Sequence, residues 1–246
     1  MKADHFDQQK LLALAAEDVA LTQLTHRRRT LPEGAAVEVA AEAERSASGA
    51  VVRAETEVRD LQREVSRLES DVQTVRTRAD KDQKLLDGGS VSAKQMTDLQ
   101  HELASLKRRQ GDLEDQELEL MEQVETAETA LAQAREAHAA AQEALTRAEQ
   151  LRDDALADIA DGTTKHEAAR LSAAGGIPAA LLALYDRIRT QTGTTGAALL
   201  QARACQGCRI ELNGRELAAV RNADPHEVVR CENCGRILVR TAESGL

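Results

Sequence analysis

The residues in this 246-residue chain best suited to chemistry are its four cysteines. They fall into two pairs, Cys205-Gln206-Gly207-Cys208 and Cys231-Glu232-Asn233-Cys234, with 22 residues between the pairs. Two intervening residues let the backbone turn so that both sulfurs of a pair converge on one metal, and a second such turn completes a tetrahedron. Gly207 lies inside the first turn and Gly235 just after the second, where backbone amides must point at sulfur and glycine has no steric cost. Four thiolates close the coordination sphere of one Zn2+ and leave no position for water or substrate. Cys205, Cys208, Cys231 and Cys234 are therefore read as a structural zinc site.

Short apolar runs flank both turns: Ala198–Ala202 and Arg209–Leu212 around the first, Val228–Arg230 and Arg236–Val239 around the second. They predict a small β zinc ribbon, with a turn at Asn213-Gly214 and a short helix over Arg215–Arg221. A domain of this size cannot rely on apolar burial alone, and zinc contributes on the order of 10 kcal/mol to folding such units.

The rest of the chain must carry this ribbon, and its composition is that of long helices. There is one Phe, one Tyr and no Trp, while 30% of residues are charged, so a thick core is excluded and a narrow helical seam is expected. Val51, Ala54, Val58, Leu61, Val65, Leu68, Val72, Val75 and Ala79 are spaced three and four apart without a slip, the a/d heptad pattern. A second seam runs through Leu99, Leu103, Leu106, Leu113, Leu120, Val124 and Ala127. Asp87-Gly88-Gly89-Ser90 separates them and predicts a reversal, with Ser90 or Ser92 capping the next helix. If the chain folds back symmetrically there, facing residue numbers add to 178, as for Ala79 with Leu99, Val65 with Leu113 and Val51 with Ala127. Gln110, Glu117 and His138 are polar seam positions, read as register-fixing or tolerated residues.

The expected fold is mainly α: a long antiparallel coiled-coil helical hairpin followed by a small C-terminal β zinc ribbon. The hairpin is assigned to 1–174, with helices over about 8–29, 33–86 and 92–160 and the reversal at 87–90. Pro32 breaks the pattern between the first two helices, and Asp161-Gly162 is expected to end or bend the third. A connector with a short helix from Pro178 occupies 175–196, and the ribbon 197–246.

The chain lacks a Gly-rich phosphate loop, an HExxH motif and a nucleophile elbow, so no enzymatic activity is expected. No apolar run is long enough to span a membrane and the N-terminus lacks a signal-peptide core. A cytoplasmic location follows, where paired cysteines serve as metal ligands rather than disulfides.

Gly88-Gly89-Ser90-Val91-Ser92 with Leu99-Gln100-His101-Glu102-Leu103, then Tyr185-Asp186-Arg187-Ile188-Arg189, and finally Cys231-Glu232-Asn233-Cys234-Gly235-Arg236-Ile237-Leu238 complete the reading. In these segments the chain resembles bacterial C4-type zinc-ribbon proteins with an N-terminal coiled-coil hairpin. The resemblance implies zinc on the four cysteines. Members of that family are described as nucleic-acid-binding proteins, and some as adaptors in transcription regulation or protein export. Similar proteins often carry an aromatic after the last cysteine motif, where this chain has Val239.

Two functions are expected to compete. One is a protein–protein adaptor using both coiled coil and ribbon, with an exposed seam edge able to form a homodimer. The other is RNA or DNA binding through Arg203, Arg209, Arg236 and Arg240, which flank the cysteine turns. The net charge of −10 disfavours the second, since the region from Ala197 carries only +1, from seven Arg and six acids. The ribbon also lacks an aromatic on which bases would stack.

Overall fold

The computed structural model describes all 246 residues as two compact units, Ala35–Glu149 and the combination of Met1–Gly34 with Gln150–Leu246. Helix α1 (His5–Arg29) starts at Asp4, whose carboxylate accepts the Phe6 amide at 2.8 Å. Helix α2 (Pro32–Asp87) takes Pro32 as its first residue, where a missing N–H costs nothing. Helix α3 (Ala93–Ala174) opens with a capping box: the Ser92 amide donates to Gln95 Oε1 at 2.9 Å, and the Gln95 amide to Ser92 Oγ at 3.4 Å.

In the unit Ala35–Glu149, α2 and α3 form the antiparallel hairpin that the two seams predict. Its register differs from the expected one. Five cross-hairpin contacts fix it: Arg76–Glu114 at 2.5 Å, Glu55–Arg135 at 2.8 Å, Gln62–Glu128 at 3.2 Å, Glu44–His138 at 2.9 Å, and Arg78–Glu102. The buried seam residues Val58 and Ala127, and likewise Val72 and Leu113, share the sum 185. A register of 178 would set Glu114 twelve residues, about 18 Å, from the level of Arg76, beyond any side-chain reach.

The shift is one heptad, so every a/d position still meets an a/d position and the apolar pattern fits both registers equally. The charges flanking the seam do not. At the flanking offset seen here, the 178 register would set Arg76 beside Lys107 and Glu55 beside Glu128, whereas the observed one pairs Arg76 with Glu114 and Glu55 with Arg135. The reversal also takes five residues, 88–92, with Gly89 left-handed at φ 64°, rather than a turn centred on the two glycines. His138 accordingly meets Glu44 instead of facing Ala40, and Gln110 donates to Glu114 at 2.7 Å.

In the other unit, α1 runs antiparallel to the end of α3. Lys10 reaches the Gly176 carbonyl, Glu17 meets His166 at 2.6 Å and Asp18 meets Arg170 at 2.8 Å. The third helix does not stop near 160 but continues to Ala174. Gly162 costs about 1 kcal/mol of helix propensity, yet it is the surface on which Leu24 lies: a Cβ there would stand 3.3 Å from Leu24 Cδ1. The glycine marks a close helix contact, not a break. Helix α4 (Ala179–Thr192) completes the helical layer.

Strand β1 (Ala197–Gln201) is central in a three-stranded sheet, antiparallel to β2 (Ala204–Cys205) and parallel to β3 (Ile237–Val239). The expected strands at 209–212 and 228–230 shrink to the single bridges Ala204–Glu211 and Arg230–Ile237. Helix α5 (Gly214–Asn222) begins at a capping box between Asn213 and Glu216. Alternation along the strands splits the unit into two small cores. Ala197, Ile237 and Val239 join Leu11, Leu14, Leu181, Tyr185 and Ile188, while Ala198, Leu200 and Leu238 join Leu212, Val220, Cys205 and Cys231.

Beneath the first core lies a buried charge. Asp18 is fully buried, accepts the Tyr185 hydroxyl at 2.6 Å and the Arg170 Nε at 2.8 Å, and lies 2.8 Å from Arg189 Nε. The last contact is close but not aligned as a hydrogen bond. Burial and the adjacent carboxylate hold the Tyr185 hydroxyl far above the ordinary tyrosine range.

Two tests follow from these features. Cysteines at Val72 and Leu113 should crosslink across the hairpin, whereas cysteines at Val65 and Leu113 should not; the reverse result would restore the 178 register. Replacing Asp18 by Ala leaves two guanidiniums short of their buried partner and should cost about 3–5 kcal/mol, against about 1–3 kcal/mol for Tyr185→Phe. Because the native hydroxyl resists ionisation, its contribution persists below pH about 10 and fades above it. Tyr185 is the one tyrosine, so tyrosinate absorbance read beside thermal melts checks this directly.

Candidate metal centre and the arginines around it

Each cysteine pair closes as one hydrogen-bonded turn. The Cys205 carbonyl accepts the Arg209 amide at 2.7 Å, and the Cys231 carbonyl accepts the Gly235 amide at 2.8 Å. The residue after the second cysteine is left-handed in both turns, Arg209 at φ 59° and Gly235 at φ 74°. Only the second is the glycine such a conformation favours. Gly207 has a different role from the conformational one expected of it. A Cβ there would stand 2.6 Å from Arg236 Cδ and 2.9 Å from Ala198 Cβ, so the position is small because the arginine crosses it.

The turns bring the four sulfurs together. Cys205 and Cys234 lie 3.8 Å apart, Cys208 and Cys231 3.9 Å, and all four within 4.8 Å of one another. Zinc–sulfur bonds of about 2.3 Å at tetrahedral angles require sulfurs about 3.8 Å apart, so this donor set fits the ion. The cysteines form no disulfide and together make up a site for one structural zinc, and no helix is long and apolar enough to cross a membrane.

The local electrostatics divide the thiols. Burial pushes Cys205 up to about 12, although the amides of Cys208 and Gly207 point at its sulfur, and burial also raises Cys231. Burial acts on Cys234 in the same direction, but the Arg236 amide and side chain, with the neighbouring thiols, outweigh it and bring this group down to about 7. Arg236 thus supplies positive charge beside a site whose four thiolates leave about −2 around the metal.

The four arginines assigned to nucleic acid have diverse surroundings. Arg236 Nε donates to the Thr195 carbonyl and hydroxyl, both at 3.2 Å, and its Nη2 to Thr194 Oγ1 at 2.6 Å. Arg240 donates to the carbonyls of Val220, Ala223, Asp224, Pro225 and Glu227 at 2.8–3.4 Å. Arg203, left-handed at φ 64°, reaches the Gly245 carbonyl at 3.4 Å. Arg209 is exposed and makes no side-chain hydrogen bond or ion pair.

Arg240 also exposes something the sequence did not. The loop it holds is clamped from the other side by the N-terminus: the Val228 amide donates to the Met1 carbonyl, the Ala3 amide to the His226 carbonyl, and Gln8 Nε2 to Ala3 and Pro225 carbonyls. Gln8 and Asp18 are buried polar residues in the apolar stripe of α1 with Leu11 and Ala15, and that misfit is the one visible sign of either contact.

Comparison with known proteins agrees with this architecture. Residues 14–193 match the CT398-like coiled coil hairpin domain and residues 204–238 the C4-type zinc ribbon domain. The chain belongs to the CT398-like coiled-coil hairpin family. A Mycobacterium tuberculosis relative, MT2288, is 41% identical over 98% of both chains, and a Mycobacterium leprae relative, ML1638, is 30% identical over 89% of this chain and 94% of its own. A solved structure from Mycobacterium smegmatis is 34% identical, covers 98% of this chain and 100% of its own, and superposes with a TM-score of 0.84. CT398 of Chlamydia trachomatis shares the fold at 19% identity, covering 95% of this chain and 97% of its own, with a TM-score of 0.64.

Within this family fold the zinc site should be stability-determining and proton-coupled. Chelation should collapse the dispersed amide resonances of the ribbon while the helical circular dichroism of the hairpin persists. Because thiols must ionise to bind, apparent zinc affinity should fall as pH drops below neutral, with protons released on binding. Arg236→Ala should weaken zinc by about 10- to 100-fold through loss of its contacts around the site, and Arg236→Lys should recover part of it. Competition with a chromophoric chelator reads both; unchanged affinity in Arg236→Ala would remove the arginine from the site's support.

Proposed function

We propose that this chain is a non-enzymatic, cytoplasmic adaptor that binds protein partners through its coiled-coil hairpin and its zinc ribbon. The observation that carries this reading is the use of Arg236 and Arg240. Their guanidiniums are committed to threonine hydroxyls and backbone carbonyls rather than held out for phosphate. A phosphate ligand would have to compete with these internal acceptors, and the net charge of −10 gives it little long-range attraction. The closed four-thiolate sphere supports a structural rather than catalytic metal. Helices of 56 and 82 residues offer far more surface than core, the economy of an interaction protein. A link to transcription regulation rests on the family resemblance.

The test pairs two measurements on zinc-loaded protein. Anisotropy titrations with short RNA, single-stranded DNA and duplex DNA, at low and physiological salt, should show no salt-sensitive binding at micromolar protein. Mild crosslinking in cells followed by purification should recover a reproducible set of proteins. Micromolar binding to a nucleic acid that weakens with salt and is lost in Arg203→Ala with Arg209→Ala would move the function to the ribbon's exposed arginines. Failure to recover any specific protein would end the adaptor reading.

A further inference from the structure

In the unit Ala35–Glu149, the seam buries Leu113 and Ala127, yet Leu118 and Met121 lie just outside it at 60% and 52% exposure. They flank a groove of about 680 Å³ that also includes the half-buried Val65 and Val124. Positions flanking a coiled-coil seam normally carry charged residues, so two large apolar side chains there are exceptional. A contiguous exposed apolar strip of this kind marks an interaction surface.

The rim has a single sign. Glu69 from α2 and Glu122, Glu125 and Glu128 from α3 line the groove, and none of them makes an ion pair. Glu128 only accepts a hydrogen bond from Gln62. The α3 arm continues this bias: from Gln110 to Ala134 it has eight acids and no Lys or Arg. Outside the groove, carboxylates do meet arginines across the seam, as at Glu114 and Glu55. Uncompensated carboxylates around an apolar floor complement a helix with one apolar face flanked by Lys and Arg.

We propose that the groove formed by Val65, Leu118, Met121 and Val124 is the docking site for a basic amphipathic helix of a protein partner. Apolar side chains of that helix cover Leu118 and Met121, and its cations meet Glu69, Glu122, Glu125 and Glu128. This inference rests on the adaptor reading and names the surface and the chemistry of its partner.

The probe is a labelled amphipathic helix with one leucine face and one lysine face, titrated into the full zinc-loaded protein by anisotropy. Binding should weaken with salt, and a version with glutamate in place of lysine should not bind. Leu118→Gln with Met121→Gln should lower affinity at least about tenfold, as expected for central apolar anchors. Glu122→Gln with Glu125→Gln should lower it by about tenfold and flatten the salt dependence. Removing two charges elsewhere, as Glu38→Gln with Glu143→Gln, should leave it within about twofold, since distant surface charges are screened. Both sites of change are exposed, and circular dichroism melts confirm that the helices persist.

Equal binding by wild type and the Leu118→Gln, Met121→Gln variant would overturn the proposal, as would binding of the glutamate probe. A wild-type dimer that this variant converts to monomer would also overturn it, by making a second copy the occupant. If the variant retains every crosslinked partner of the wild type, the groove assignment fails while the adaptor reading stands. If wild type recovers no specific partner, the adaptor reading itself fails.

Discussion

A carboxylate with no access to water can exist in a folded chain only if its charge is met on the spot, and Asp18 sets that condition for the unit that contains the ribbon. Its three partners come from two helices: Arg170 near the end of α3, and Tyr185 and Arg189 on α4. Each partner alone would leave the charge undercompensated, and removing Asp18 would strand the cations instead. The contact therefore forces α1, the last turns of α3 and α4 into one arrangement, and that arrangement presents the apolar surface on which β1 and β3 lie. The uninterrupted run of α3 to Ala174 follows from the same demand, because Arg170 must reach Asp18.

From that platform the sheet hands order on to the metal. One face of β1 and β3 belongs to the helical core and the other to the cysteine core, so two sets of residues, neither large enough alone, share one three-stranded sheet. Zinc replaces the apolar mass that the second core lacks. The arginines follow the same economy. Arg236 crosses Gly207 to reach the threonines and the Cys234 side of the site, and Arg240 gathers five carbonyls of a loop with no regular structure of its own. Both arginines are used to complete internal structure.

Periodic and local features were legible in the sequence, and contacts made at a distance were not. The heptads over 51–79, the break at Pro32, the cap at Ser92 and the convergence of Cys205, Cys208, Cys231 and Cys234 all depend on residues close in sequence. The register did not, because a pattern with a period of seven cannot distinguish a pairing from its neighbour one heptad away; the five-residue reversal and flanking pairs such as Arg76–Glu114 decide it. Gly162 reads locally as a helix breaker, and only the approach of Leu24 gives it another meaning. Arg236 and Arg240 read as phosphate ligands because their acceptors, on Thr194 and on the loop around Pro225, lie tens of residues away or in irregular backbone.

The heptad-neutral seam has one further consequence. Adding or removing seven residues from each arm would preserve every kind of contact along the hairpin, since apolar positions would still meet apolar positions and the reversal would be unchanged. Arm length is therefore a quantised variable, adjustable in steps of roughly 10 Å, about seven residues at 1.5 Å each, without disturbing the zinc-bearing unit. A lineage can retune the length of such a hairpin by paired insertions alone, while single-residue changes in length are penalised at every seam position beyond them.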